Sequence, residues 1–384
     1  MFNKIAILGA GHGGCTMAAD LSMAGYHVNL YELPEFADNL LGPIIEKGGL
    51  EVIARKETGE EFKLSGGGKT GFARISGKIT SDIKQAVDDA DLIMLVTPAF
   101  AREKFIRELG TCIKEGQTVV IWPGYFGALR CAKILKDMGV YRDITICETE
   151  SLIYATRRTG PTEITVLGTK DRLACSVFPA SKTTEVIKGL QKIFPAIVPA
   201  RNVLETTLAN GNLVIHPQCL LLNLYRVERK FYPYYESMGG PFCSSYDVTP
   251  GMAGVMEAVD KERRAIAEKF ELNILSEQET LKVFYGATGK NLYEALLNCY
   301  AYQKQLAPTS LNHRYVTEDV PYGLVPLASL GDQIQVPVPT IKGMVAVGCA
   351  ATGEDYWSKG LTMSDVGLAG KSVEEIIALV EKGF

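Results

Sequence analysis

Gly9-Ala10-Gly11-His12-Gly13-Gly14, near the N-terminus, limits what this chain can fold into more than any other stretch. It follows a short apolar run, Ile5-Ala6-Ile7-Leu8, which has the length of a strand, and precedes an amphipathic segment over residues 14–24. Glycines at 9, 11 and 14 meet the pattern G-x-G-x-x-G. The first permits a tight turn, the second lets a pyrophosphate approach the backbone, and the third lets helix and strand pack closely. Unpaired N–H groups at the start of the helix, and its positive end, then face the phosphates.

A second apolar run, His27–Tyr31, ends in Glu32, 18 residues after Gly14. A carboxylate there accepts hydrogen bonds from the adenosine ribose hydroxyls and repels a 2′-phosphate. Leu33-Pro34 follows, with no arginine at hand to receive that phosphate. The unit is read as a nicotinamide dinucleotide site held by Gly9, Gly11, His12, Gly13, Gly14 and Glu32, with NAD(H) favoured over NADP(H). His12 is equally compatible with simple exposure to solvent.

As far as about residue 200, apolar runs at Lys4–Leu8, His27–Tyr31, 91–97, 118–122 and 144–147 alternate with amphipathic segments at 14–24, 36–47, 102–109 and 127–138. This alternation predicts a mostly parallel sheet covered by helices. The run at 91–96 ends in Thr97-Pro98, and strand ends line the crevice of such sheets. Thr97 and Pro98 are therefore expected to touch the cofactor, an ordinary strand-ending turn being the alternative. Residues 50–80 break the pattern around Gly66-Gly67-Gly68 and predict extra antiparallel strands, as do 163–167 and 173–177. A helix over 183–193 and a strand at 197–198 close the region.

Beyond residue 200 the periodicity is helical, at 203–225, 252–270, 276–284, 292–302 and 340–350. A capping box, Ser372-Val373-Glu374-Glu375, opens the last helix. The predicted class is α/β: a Rossmann-type domain over 1–199, then an all-helical domain over 200–384.

A net charge of −4 offers no attraction for nucleic acid or an anionic membrane. Nine cysteines are scattered singly, without C-x-x-C spacing or a metal-binding cluster, and read as reduced thiols in a cytosolic protein. The N-terminal apolar run is too short for a signal peptide, and the other apolar runs fall far short of a membrane span. A cytoplasmic location is expected, with no membrane or nucleic-acid partner and no metal.

Four histidines can be weighed singly. His12 lies in the glycine loop, His27 begins a strand, and His313 stands in a polar stretch. His216 sits in the apolar pattern 203–225, where Glu205, Asn212, His216 and Asn223 fall within about 20° of one line on a continuous helix. Such a stripe faces solvent or a polar cavity, and a histidine there is also compatible with a core residue bonded to backbone. Pro217 is expected to kink or break the helix at that point. Farther on, Asn312-His313-Arg314-Tyr315-Val316-Thr317-Glu318-Asp319-Val320-Pro321 adjoins Gly323-Leu324-Val325-Pro326. Charged runs are commonly solvated surface. An arginine also clamps carboxylates, and an aspartate can orient a histidine. Spacing alone does not bring these residues to His216.

These residues resemble those of the opine dehydrogenase family, of the octopine/nopaline dehydrogenase type. The likeness covers nearly the whole chain. It is carried by the glycine loop, Pro123-Gly124, Glu148-Thr149-Glu150-Ser151-Leu152, Asn212-Leu213-Val214-Ile215-His216-Pro217 and, most specifically, Arg314 to Pro321 with Gly323 to Pro326. The resemblance implies His216 as catalytic acid/base, Asp319 as its partner and Arg314 as the holder of a substrate carboxylate. Asn212 and Tyr125 are further candidates for the substrate site. It also implies joining of an amino acid to a 2-oxo acid such as pyruvate, reduction of the imine with NAD(P)H, and the reverse oxidation. Tyr125-Phe126 and Phe231-Tyr232-Pro233-Tyr234-Tyr235 are candidates for selecting the amino acid, the latter equally for packing the domains. Two other readings stand beside this one: a reductase of a 2-oxo or 3-hydroxy acid, and a dinucleotide sensor without chemistry. The sequence identifies neither the amino acid nor an oligomeric state.

Overall fold

A computed structural model describes residues 2–56, 59–141, 143–228, 247–302 and 306–384. The chain divides into two compact units, Met1–Thr207 with Ala378–Phe384, and Leu208–Ile377. This division differs from the expected one near residue 199 at both ends. The helix Val203–Leu208 ties back to the first unit, because Thr206 and Thr207 donate to Glu148. The C-terminal Phe384 packs edge-on against Phe178, 5.5 Å between ring centres.

The first unit holds strands β1 (Lys4–Leu8), β2 (His27–Tyr31), β3 (Gly49–Ala54), β4 (Gly71–Arg74), β5 (Ile79–Thr80), β6 (Leu92–Leu95), β7 (Thr118–Ile121), β8 (Thr145–Thr149), β9 (Tyr154–Gly160), β10 (Glu163–Thr169), β11 (Leu173–Phe178) and β12 (Ile197–Pro199). Eight make one sheet in the order β12-β11-β8-β7-β6-β1-β2-β5. From β8 to β5 the neighbours are parallel; β11 runs antiparallel to β8 and parallel to β12. Every residue of β6 and β7 is buried, which explains their unbroken apolar runs. The expected helix over 36–47 is two, Pro34–Leu40 and Gly42–Lys47, with Pro43 opening the second where it needs no N–H.

The strands expected around Gly66-Gly67-Gly68 form a second sheet, β4-β3-β10-β9. β3 and β4 pair antiparallel as foreseen, but β3 pairs parallel with β10, a long-range match that no local pattern signals. Asp20, on the helix His12–Met23, anchors the glycine turn. Its carboxylate accepts from Gly66 N and Gly68 N, both at 2.7 Å, and from the Tyr154 hydroxyl at 2.6 Å. A Cβ at Gly68 would stand 2.8 Å from Asp20 Oδ1, so the turn closes on the carboxylate only with glycine there.

The second unit is helical. Asn212–Leu221 lies at its centre, packed by Pro250–Lys269, Arg314–Thr317 and Pro339–Thr352. The single helix expected over 203–225 is three: Val203–Leu208, Asn212–Leu221 and Leu224–Glu228. Gly211 approaches Glu277 so closely that a Cβ would stand 2.0 Å from Oε2, and Asn210 Oδ1 accepts from Asn212 N at 3.1 Å. These contacts start a new helix and end the polar stripe: Glu205 instead accepts from Arg201 N in the first unit. Pro217 does not break the helix either. It removes the donor to Leu213 O, and the Gln218 amide, oriented by its surroundings, supplies one at 3.2 Å and a second to Val214 O at 3.0 Å. Among the described residues no helix is long and apolar enough to cross a membrane.

Candidate active site

In the first unit the glycine loop joins β1 to the helix His12–Met23. Gly9 has φ +108°, and a Cβ on it would stand 2.6 Å from Val96 O. A Cβ on Gly14 would stand 1.7 Å from Gly9 O. Both positions are closed by backbone. Gly11 differs: a Cβ there meets nothing within 4 Å, and Gly11 caps the helix without a side-chain bond. The loop thus leaves open space at the end of the helix where a phosphate is held by N–H groups.

Glu32 is 5% exposed at the end of β2, with Oε2 accepting from Ala10 N at 2.7 Å and Oε1 from Leu33 N at 2.9 Å. Burial pushes its carboxyl up, against the pull of these two N–H groups. The carboxylate is thereby tied to the glycine loop itself. Thr97 is also buried, and its Oγ1 has no hydrogen-bond partner among the described residues, an orphan that a ligand hydroxyl or amide would satisfy. Pro98 is exposed beside it. An open Gly11, a loop-bound Glu32 and an orphaned Thr97 hydroxyl fit a dinucleotide.

The local reading missed Arg158. From β9 it donates to Ala10 O at 2.9 Å and Leu40 O at 3.1 Å, and its backbone N–H donates to His12 Nδ1 at 2.7 Å. His12 therefore ties the glycine loop to β9. The absence of an arginine after Glu32 says nothing of one delivered from β9.

At the ends of β6, β7 and β8, Tyr125 and Phe126 occupy the left-handed region in succession, φ 58° and 56°, a costly arrangement for bulky side chains. Arg102, fully buried, holds this turn by donating to the carbonyls of Pro123 and Gly124. Phe126 N donates to Thr207 Oγ1 at 3.0 Å, and Thr207 donates to Glu148. Glu148 is wholly buried and accepts also from Ala128 N at 2.9 Å and Thr206 Oγ1 at 2.9 Å. Tyr125 and Phe126 are 2% and 1% exposed, with the Arg102 guanidinium over the Tyr125 ring. Both rings are thus packed within the first unit. The stretch Phe231 to Tyr235 lies outside the described residues.

In the second unit the structure unites segments that sequence spacing left apart. His216 Nδ1 lies 3.0 Å from Asp319 Oδ2, with the aspartate fully buried and the imidazole 14% exposed. A carboxylate only accepts, so Nδ1 carries a proton in both states of the ring and Nε2 is the nitrogen that gains or loses one. Asp319 precedes a π-helical turn, Val320–Leu324, whose Gly323 presses on Leu213 of the histidine helix; a Cβ there would stand 2.0 Å from Leu213 Cδ2. That approach sets the spacing of the pair.

Arg314 is 43% exposed, and its Nη1 lies 3.3 Å from Oε2 of the wholly buried Glu318. The charged run is thus divided: Arg314 is exposed, while both of its carboxylates are buried. Tyr315 stacks on His216 with ring centres 3.6 Å apart and planes within 10°. Asn212 stands one turn before His216, on the same helix face and half-buried. Tyr315, Glu318 and Gln218 carried no periodic signal that would have singled them out.

Residues 199–352 match the family model for the NAD/NADP octopine/nopaline dehydrogenase, alpha-helical domain. The chain is 34% identical to the opine dehydrogenase of Arthrobacter sp. (strain 1C), over 98% of each chain. Its fold is similar to that of an octopine dehydrogenase solved with NADH and L-arginine, with a TM-score of 0.75 and 20% identity over 99% of this chain and 98% of that one. It is similar also to yersinopine dehydrogenase solved with NADP+, with a TM-score of 0.70 and 15% identity over 99% and 98%.

Proposed function

The chain belongs to the opine dehydrogenase family, NAD(P)-dependent oxidoreductases acting on CH–NH groups, and we propose that it condenses an amino acid with a 2-oxo acid such as pyruvate, reduces the imine, and runs the reverse oxidation. The observation that carries this reading is the buried Asp319 bonded to His216, beside an arginine anchored on Glu318.

His216 Nε2 takes a proton from the substrate ammonium, freeing the amine to attack the 2-oxo carbon. The same nitrogen returns that proton to the carbinolamine hydroxyl, which leaves as water, and the C–N double bond forms. NAD(P)H, when bound, supplies the hydride that completes the C–H bond of the secondary amine. A positioned acid/base of this kind contributes about 10²–10⁴ in rate. Asp319 keeps the proton on Nδ1 so that Nε2 does the exchange. Arg314 orients a substrate carboxylate through its planar fork, which Glu318 holds in place. Asn212 lines the same helix face.

Gly9, Gly11, Gly13, Gly14, Glu32, Thr97 and Pro98 hold the cofactor, with His12 bracing the loop. NAD(H) is the favoured form, supported by the Glu32 carboxylate bonded to Ala10 N; NADP(H) remains within reach of the family. The described cysteines are free thiols, which supports a cytoplasmic location.

The test is cofactor oxidation with pyruvate, with and without a panel of amino acids, using NADH and NADPH in turn. Oxidation that depends on the amino acid and yields a secondary amine dicarboxylate is expected. Equal turnover on the 2-oxo acid alone would replace this reading with a 2-oxo acid reductase.

A further inference from the structure

We propose that Tyr315 is a positioning residue for His216: its ring, lying face to face on the imidazole, favours the protonated ring and so sets the pH range over which His216 exchanges its proton. The inference rests on His216 being the acid/base.

The geometry is specific. Ring centres 3.6 Å apart with planes within 10° leave almost no lateral offset, since carbon atoms in contact are themselves about 3.5 Å apart. Two neutral aromatic rings avoid that overlay, because their negative faces meet. An imidazolium reverses the sign: its positive ring over the face of a tyrosine is a cation–π contact. The stack is thus better in one protonation state than the other, and by linkage it stabilises that state. It also fixes the imidazole plane. With Asp319 on Nδ1, the ring has one orientation and one exchanging nitrogen.

Other charged groups lie on the elements packed against the pair. Arg314, 6.0 Å from the Tyr315 ring centre, opposes the imidazolium and is paired with Glu318. The packed helix Pro250–Lys269 presents the buried pair Asp260–Arg263. Pro339–Thr352 carries Lys342, bonded to Asp332 at 2.6 Å, and Leu224–Glu228 carries Arg226, bonded to Asp247. His313 meets Tyr315 edge-on at 4.7 Å, and burial holds the nearby Tyr302 hydroxyl protonated. Leucine at 315 also removes the His313 and Arg314 contacts with the ring, so the comparison of Tyr315→Phe with pentafluorophenylalanine, which both keep a ring, isolates the charge of its face.

The experiment follows the titration of the four histidines by NMR in the whole protein, with His216→Asn assigning the His216 signal. Tyr315→Phe keeps the ring face and should leave the midpoint of His216 in place. Tyr315→Leu should lower it by about half a pH unit or more. Pentafluorophenylalanine at 315 keeps the ring shape and inverts the charge of its face, so it should lower the midpoint at least as far, and it decides the matter if the leucine variant does not fold. In turnover, the pH limits of both reaction directions should move down together in the leucine and fluorinated variants. An unchanged midpoint in the fluorinated variant, or an equal fall in Tyr315→Phe, overturns the proposal. Because the readout is a titration, it separates from the functional reading. Shifts without amino-acid-dependent turnover would reject the reaction, and turnover without shifts would reject the role of Tyr315.

Discussion

His216 Nδ1 and Asp319 Oδ2 lie 3.0 Å apart although 103 residues separate them in the chain. The helix Asn212–Leu221 supplies one partner and the residue before a π-helical turn supplies the other. Such turns are frequent at functional sites. Asp319→Asn keeps the shape but loses the charge and turns one acceptor oxygen into an NH2 donor, so the proton is no longer held on Nδ1. It should lower kcat by on the order of 10²–10⁴ while NADH affinity stays unchanged. Steady-state kinetics with NADH-binding fluorescence checks both parts; an unchanged kcat would remove Asp319 from the mechanism.

The glycines of the loop should separate under substitution. Gly11→Ala places its methyl in open space, so the unliganded protein should keep its melting temperature while NADH affinity falls roughly tenfold or more, about 1.4 kcal/mol. Gly14→Ala drives a methyl into Gly9 O, at 1.7 Å, and should lower both. Thermal unfolding without cofactor, set beside an NADH titration, tells the two cases apart.

On the proposed reading, Glu32 discriminates between the two cofactors by its charge. Glu32→Gln keeps an acceptor for Ala10 N but no longer repels a 2′-phosphate, and Arg158 stays close by. The ratio of kcat/KM for NADPH to that for NADH should rise about tenfold. A ratio that does not move would show that the adenosine end is read elsewhere.

Glu148 makes a pH prediction of definite sign. Burial pushes its carboxyl above the usual 4.5, against the Ala128 N–H and the Thr207 and Thr206 hydroxyls. The folded protein therefore keeps this proton over a range in which the unfolded chain has lost it. The stabilisation is complete below the unfolded value and drains away as pH rises through the folded one. Glu148→Gln has no proton to lose there. Relative to the unaltered protein it should gain stability as pH rises, by at most about 1.4 kcal/mol per pH unit inside that window. Parallel curves of melting temperature against pH would reject this.

Legibility followed distance along the chain. The dinucleotide unit was readable because strand, glycine loop, helix and Glu32 are contiguous, so each residue's neighbours in sequence are its neighbours in space. The parallel sheet was readable for a similar reason: buried strands show as apolar runs. Arg158 escaped because it reaches the loop from β9 through a second sheet whose pairing of β3 with β10 is long-range. The polar stripe on 203–225 was wrong in its premise of one straight helix, which the approach of Gly211 to Glu277 interrupts.

The glycine loop and Glu32 determined by themselves that a dinucleotide-binding fold begins this chain, since turn, close approach and ribose contact are demands on local backbone and on one side chain. Only the tertiary structure brings His216 together with its partners. A histidine between Ile215 and Pro217 has no chemistry of its own until Asp319 fixes its tautomer, Tyr315 covers its face and Glu318 holds Arg314 beside Tyr315. Those partners arrive by packing, which depends on shape and burial, and a pattern of spacing does not carry either.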